Sequence, residues 1–245
     1  FFTFFCFVIF ELMEEDRVEP ATKILFKASF SPDKDVKALT LGSTGVRKRW
    51  MFNVYAFGLY FDPDQAKEEL TRWNTYDMDE LVTNLSFYHA IIGSSFEKGL
   101  RMVLARTVKG SDLMVAFEES LRPRVQRFAS QHSHGHNRTN KEKIQKEGLA
   151  AIEEFRAQFN TNEITKGTEI YIKNENSTLT TWINGKMKKR IENKTLSSAL
   201  FDVYLGNNPI NTKAKELFAM NLSLLVVNQN RLNRPKIQRA ILSRL

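Results

Sequence analysis

Arg47 is the residue of this sequence that is best placed to bind an anionic group. It lies within LTLGSTGVRKRWMFNVYAFGLYF, from Leu39 to Phe61, just before a long apolar and aromatic run. The arginine side chain stays protonated, and a buried charge without a partner is costly. Its position therefore predicts one of three surroundings for Arg47: a carboxylate of the protein, a solvated cleft or an anionic ligand.

The residues after Arg47 predict a strand that is buried on both faces. From Trp50 onward they are β-branched, aromatic or small and carry almost no charge, which is typical of strands deep inside a domain. The stretch from Gly42 to Gly45 predicts a bend or bulge, and Lys48-Arg49 predicts a turn that closes a hairpin.

The length of that turn decides which tyrosine shares a face of the sheet with Arg47, because side chains alternate across a strand. A two-residue turn would place Arg47 on the face of Tyr60. A three-residue loop, or an equivalent bulge, would place it on the face of Tyr55. We predict the second arrangement.

The text GVRKRWMFNVYAFGLYF resembles the chalcone isomerase-like superfamily, in particular its short-spaced members. The resemblance continues through GSSF from Gly93 and through INGKMKKRIENKTLSSALFDVYLGNNPI, so it spans roughly Glu19 to Leu225. It implies an α+β fold with a large antiparallel sheet, a layer of helices on one face and a ligand cleft between them. Fold alone does not establish function.

In the catalytic branch, the resemblance implies an arginine and several hydroxyl or amide donors that hold a phenolate and polarise an enone carbonyl. Arg47 matches the arginine, and the donor positions fall at Tyr55 and at about Phe96, Val103 and Val203. The last three side chains cannot donate a hydrogen bond. Each lost donor costs roughly 3 kcal/mol in comparable sites, so efficient isomerisation is not expected.

The fatty-acid-binding branch resembles this chain in pairing the arginine with a tyrosine at the position of Tyr55. Both side chains can hold a carboxylate, and each buried methylene of an acyl chain contributes about 0.8 kcal/mol. The resemblance therefore implies a non-catalytic protein that binds a fatty acid or similar amphiphilic carboxylate through Arg47 and Tyr55, with Tyr60 as a further candidate.

Three alternatives stay open. The chain could be an intramolecular lyase of the chalcone isomerase type, with Arg47 as its catalytic residue. It could be a structural protein that docks on membranes through a basic tail. Arg47 could also pair with a buried aspartate or glutamate while Tyr55 packs in the core.

Neither a metal nor a cofactor is predicted. His132, His134 and His136 alternate in the polar stretch 130–140, but no nearby carboxylate or cysteine completes a metal site, and a solvated loop is expected. The only cysteine, Cys6, excludes an internal disulfide and a cysteine metal cluster. No phosphate-binding loop or nucleophile elbow is present.

One domain is expected at 20–227, between an N-terminal segment at 1–19 and a basic tail at 228–245. The first ten residues are too short to span a bilayer, and they are interpreted either as the end of a targeting segment or as a buried strand. The net charge of +8 makes nucleic acid and membranes candidate partners, but no nucleic-acid motif is visible. We expect no nucleic acid, a peripheral membrane contact through the tail, and an organelle, plastid or mitochondrion, as the location.

The remaining pattern predicts the other elements. Strands are expected at 23–30, 81–90, 168–173, 179–182 and 186–192. Helices are expected at 65–72, 93–104, from 112 with an interruption at Pro123, 141–159, 196–204 and 213–226. Asn184-Gly185 is the strongest hairpin signal in the chain.

Overall fold

An antiparallel sheet of seven strands is the centre of the computed structural model, which describes residues 15–133 and 138–227. The strands are β1 (Arg17–Val18), β2 (Leu25–Phe26), β3 (Ser29–Phe30), β4 (Leu39–Arg49), β5 (Phe52–Phe61), β6 (Lys98–Leu104), β7 (Val108–Lys109), β8 (Glu163–Ile164), β9 (Glu169–Glu175), β10 (Thr178–Ile183) and β11 (Lys186–Glu192). The large sheet has the order β11-β10-β9-β6-β5-β4-β3, and β1-β2 and β7-β8 form two small sheets.

Seven α-helices within the described ranges form a layer on one face of the sheet, which confirms the predicted α+β architecture. A short 3₁₀ turn, Thr71–Trp73, lies between the first helix and the second helix in the chain. The helices are α1 (Pro63–Glu69), α2 (Met78–Thr83), α3 (Leu85–Gly93), α4 (Gly110–His132), α5 (Arg138–Ala157), α6 (Lys194–Leu205) and α7 (Thr212–Val226). No helix in the part of the chain that the structure describes has the length and apolar content to cross a membrane.

β5 is buried on both faces, as its uninterrupted apolar sequence predicts. On the helix side, its residues join the main core. On the other side, its residues pack in a smaller cluster with β2 and the start of β4. The helix-side residues are Tyr55, Phe57, Leu59 and Phe61, and the opposite residues include Ala56 and Tyr60.

Close packing of α7 on β4 fixes the helix layer near Arg47. A Cβ at Gly45 would lie 2.9 Å from the Cβ of Ala214, so glycine is needed for this approach. The side chain of Asn211, which caps α7, also donates to the backbone carbonyl of Val46 at 3.3 Å. Thr212 is the first residue of the helix, one position before the expected start at 213.

The prediction for residues 81–104 was wrong. The expected strand at 81–90 is α2 and α3, with Asn84 capping α3 by accepting from two backbone amides. In place of the expected helix at 93–104, residues 98–104 form the strand β6. Lys98, Leu100 and Met102 face the helices, and Val103 faces the other side. Pairing with β5 and β9 determines the strand, and a short apolar run does not reveal such pairing.

Most other predicted elements are confirmed within small shifts. Asn184 and Gly185 form the expected hairpin turn, with φ angles of 48° and 74°. α4 continues through Pro123, where an interruption was expected. The expected strand at 23–30 consists of β2 and β3. The N-terminal decamer, His134, His136 and the basic tail lie outside the described residues.

Candidate functional site

The β4–β5 hairpin brings Arg47 and Tyr55 together. The two residues lie directly opposite each other and on the same face, which confirms the predicted register. The turn differs from the prediction, because β4 continues through Lys48 and Arg49 and reverses at Trp50-Met51.

A bulge at Val54 produces this register. Arg47 pairs with Tyr55 and Lys48 with Asn53, so Val54 is an extra residue in β5. Without it, a two-residue turn would set Arg47 opposite Val54 and move the guanidinium to the other face. A single extra residue therefore decides whether Arg47 faces the helix layer.

Arg47 and Tyr55 border a pocket of about 640 Å³ between the turn end of this hairpin and α4. Pockets of this size are typical of small-molecule sites. The apolar part of its lining includes Trp50, Phe52, Val54, Val108, Leu113, Ala116 and Phe117.

Tyr55, which lines the pocket, forms a hydrogen bond with a second hydroxyl near Arg47. The oxygens of Tyr55 and Tyr204 are 2.9 Å apart, and Tyr204 donates to the sulfur of Met102 at 3.5 Å. Since Tyr204 has one proton, Tyr55 donates to Tyr204 in this arrangement. Burial, together with the neighbouring Tyr55, raises the pKa of Tyr204 well above its ordinary value, so this hydroxyl is neutral at physiological pH.

Arg47 is a fixed cation at this position. Burial works against its charge, but the neighbouring Tyr55 and Tyr204 and the carboxylate of Glu119 outweigh that effect and raise its pKa. Among the described residues, no carboxylate oxygen comes within 4.0 Å of the guanidinium. The alternative in which Arg47 pairs with a buried acid of the protein therefore has no support in this part of the chain.

Positive charge dominates the lining of the pocket. It contains five cations and two acids, Asp112 and Glu119. A concave surface with this balance raises the local concentration of anions. The cations are Arg47, Lys48, Arg49, Arg106 and Lys109.

Tyr60, a predicted ligand contact, does not reach this site. It lies on the opposite face of β5, where its hydroxyl donates to the backbone carbonyl of Lys27 at 3.1 Å. Burial raises its pKa above the ordinary value. The register that unites Arg47 with Tyr55 excludes Tyr60, because Tyr60 is five positions after Tyr55 and an odd offset along a regular strand places two side chains on opposite faces.

The other positions that the resemblance assigned to donors also lie outside the pocket lining. Val103 faces away from the helices, and Phe96 is buried beside Lys98 near the far end of β6. Val203 is buried in α6, and the next residue, Tyr204, supplies the hydroxyl. Sequence reasoning missed Tyr204, although a tyrosine in an apolar helix signals a buried hydroxyl that needs a partner.

The histidine stretch supplies no metal site in the described residues. His132 ends α4, where its ring stacks on Phe128 and its Nδ1 atom lies 3.4 Å from the hydroxyl of Thr195. Within residues 15–133 and 138–227, no group of three side chains has the arrangement of a metal centre.

The sheet, the helix layer and the cleft between them define a protein of the chalcone isomerase-like fold. The profile of the chalcone-flavanone isomerase family matches residues 21–225, and the chain belongs to this family.

Its relatives include chalcone–flavanone isomerases and a fatty-acid-binding protein. Chalcone–flavanone isomerase 2-B of Glycine max is 27% identical over 206 residues, which are 79% of this chain and 85% of that protein. Fatty-acid-binding protein 1 of Arabidopsis thaliana is 24% identical over 217 residues, which are 87% of this chain and 73% of that protein. The crystal structure of an Arabidopsis thaliana fatty-acid binding protein superposes with a TM-score of 0.71 at 23% identity, covering 86% of this chain and 99% of that one.

Proposed function

We propose that this protein binds a fatty acid or similar amphiphilic carboxylate in the pocket, with Arg47 and Tyr55 holding the headgroup, and that it is not a catalyst. The observation that carries the proposal is the environment of Arg47. Its guanidinium borders a cavity, and no ion pair satisfies it within the described residues. A ligand carboxylate is the chemical complement of this arrangement, because guanidinium and carboxylate form short, charge-assisted and often bidentate bonds.

The hydroxyl pair can reorganise when a carboxylate arrives. Tyr55 can turn its proton from Tyr204 toward the ligand, and Tyr204 can then donate to Tyr55. Tyr204 gives up only its contact with the Met102 sulfur, a weak acceptor. Tyr55 is 2% exposed, whereas Arg47 is more accessible, so the headgroup meets Arg47 first.

The cavity also suits the rest of an amphiphile. Its apolar walls can take an acyl chain, and each methylene removed from water contributes about 0.8 kcal/mol before the ordering of the chain is counted. The positive lining favours a negative headgroup over a neutral one. Both features support an amphiphilic carboxylate as the ligand class.

Native mass spectrometry of the purified protein, followed by lipid extraction, tests this proposal. We expect one acyl carboxylate bound to each chain and its loss in Arg47→Ala. Arg72→Ala is the matched control, since Arg72 is an exposed arginine that packs on Trp73 outside the pocket. A wild-type protein without bound carboxylate after incubation with fatty acid, or equal loading of Arg47→Ala, would contradict the proposal.

The alternative function is intramolecular lyase activity of the chalcone isomerase type. The observation in its favour is that Tyr55 and Tyr204 place two hydroxyls beside a cation, and relatives of this chain are named chalcone–flavanone isomerases. The side chains at 96, 103 and 203 offer no donors, so we expect no acceleration of hydroxychalcone cyclisation in stopped-flow absorbance. A rate far above the spontaneous one that disappears in Arg47→Ala would favour the enzyme.

A further inference from the structure

The hairpin tip, formed by Trp50, Met51 and Phe52, is the most exposed apolar cluster among the described residues. Trp50 is 91% exposed, Met51 84% and Phe52 51%. Single exposed apolar residues are common on protein surfaces, but three in succession at the mouth of a pocket mark an interaction site. The left-handed φ of Trp50, 55°, is part of the turn that presents these side chains.

Cations surround this tip. Four exposed basic residues, here called the basic rim, lie around the mouth of the pocket, and the guanidinium of Arg106 stands 4.6 Å from the ring of Phe52. The only acids in the pocket lining are Asp112 and Glu119. The basic rim consists of Lys48, Arg49, Arg106 and Lys109.

We propose that the hairpin tip inserts into the interface of an anionic lipid bilayer while the basic rim contacts the lipid headgroups. Tryptophan favours the boundary between hydrocarbon and water, since its ring is apolar and its N–H polar. Each lysine or arginine near an anionic bilayer strengthens binding by about fivefold. The apolar tip matches the hydrocarbon region of such a bilayer, and the surrounding cations match its anionic headgroups.

This contact places the mouth of the pocket against the membrane. An amphiphile can then pass between bilayer and pocket without crossing water, with its carboxylate moving from the headgroup layer to Arg47. Only this transfer step rests on the proposed function. The docking contact stands on the exposure and charge of the hairpin tip.

Trp50 provides a direct probe of insertion. The chain contains three tryptophans, and Trp73 and Trp182 are only 8% and 6% exposed. We would titrate delipidated full-length protein with vesicles of equal parts phosphatidylglycerol and phosphatidylcholine, the latter carrying brominated acyl chains. The expected result is a blue shift and quenching of tryptophan emission. The Trp50→Phe variant should lose this signal, and vesicles of phosphatidylcholine alone should bind weakly.

Met51→Asp tests the tip, because Met51 is exposed but is not part of the pocket lining. Its vesicle affinity should fall about tenfold or more, since an apolar contact is lost and a like charge is added. Leu85→Asp is the control, because Leu85 is as exposed as Phe52 and does not border the pocket. Its affinity should stay within about twofold of the wild type.

The basic rim has its own control. Arg49→Glu should weaken vesicle binding far more than Lys67→Glu, which makes the same change of charge in α1. β5 separates α1 from the hairpin tip, and ten residues of strand extend about 30 Å.

Vesicle binding without a change in Trp50 emission would overturn the docking proposal, because another segment would then make the contact. Equal binding of Met51→Asp and wild type, or equal losses in Met51→Asp and Leu85→Asp, would overturn it as well. A fluorescent fatty-acid titration of the same samples reports separately on the proposed function. A protein that inserts Trp50 but binds no fatty acid would contradict the proposed function alone.

Discussion

Arg47 and Lys98 are two cations beneath the same helix layer, at opposite ends of β5. Arg47 lies opposite Tyr55 near the start of the strand, and Lys98 lies opposite Phe61 at its end. Neither forms an ion pair with a carboxylate in the described ranges. The two sites nevertheless differ in how the protein accommodates the positive charge.

The side chain of Lys98 is fully buried, and neighbouring groups of the protein satisfy its hydrogen bonds. Its ammonium nitrogen donates to the backbone carbonyl of Ser94 at 2.8 Å and to the Ser94 hydroxyl at 2.7 Å, and it lies 4.2 Å from the ring centre of Phe96. Burial lowers its pKa to about 7, against a weaker opposing effect of Glu69. Lysine can therefore release its proton and remain buried as a neutral amine.

Arg47 has no such option, because a guanidinium does not lose its proton in proteins. Its end of the layer opens into a pocket, where water or an anion can solvate the charge. A lysine at a closed end is therefore compatible with a purely structural role, whereas an arginine at an open end can bind an anionic ligand.

Replacement of Lys98, the cation at the closed end, should produce the largest loss of folding stability. Lys98→Arg places a charge that cannot be neutralised in an enclosed site, and we expect the free energy of unfolding to fall by about 3–5 kcal/mol. Urea unfolding at pH 8 measures it. Lys98→Met is the matched control, since it keeps a long side chain without charge. Equal stability of the two variants would remove the distinction between the sites.

The pH dependence of stability should reveal the proton of Lys98. Its pKa is about 7 in the folded protein and 10.5 in an unperturbed lysine. Between these values the unfolded chain binds more protons, so the stability contribution of Lys98 rises with pH by up to about 1.4 kcal/mol per unit. The free energy of unfolding of wild type minus that of Lys98→Met should therefore increase by about 3 kcal/mol between about pH 7 and 9.5. A constant difference would contradict the burial of an amine at this position.

At the open end, a smaller stability effect is expected from the hydroxyl pair. Tyr204→Phe leaves the buried Tyr55 hydroxyl without its acceptor, which should cost about 1–2 kcal/mol. A double-mutant cycle with Tyr55→Phe should give a coupling near 1 kcal/mol. Strictly additive stability losses would mean that the two hydroxyls do not act together.

The sequence was sufficient for the fold class, and it narrowed the tyrosine that shares a face with Arg47 to Tyr55 or Tyr60. The unbroken apolar run of β5 revealed burial on both faces, and alternation along the strand limited the choice to two registers. The bulge at Val54 that selects one register depends on how the turn closes, which local residue types do not determine.

The errors have a common origin in long-range contacts. Residues 98–104 became a strand because β5 and β9 pair with them on both sides. Tyr204 reaches Tyr55 from a position 149 residues further along the chain, so no local spacing indicates their contact. Tyr60 was proposed as a ligand contact from its place in the same strand, and alternation puts it on the wrong face.

Arg47→Ala distinguishes a role of Arg47 in ligand binding from a role in folding. The measurement is a fluorescent fatty-acid titration of delipidated protein, made beside urea unfolding of the same samples. Removal of a charge-assisted contact should weaken affinity about tenfold or more, while the free energy of unfolding changes by less than about 1 kcal/mol. A loss of about 3–5 kcal/mol in unfolding free energy with unchanged affinity would rule out the ligand-binding role, since it would identify Arg47 as half of a structural ion pair.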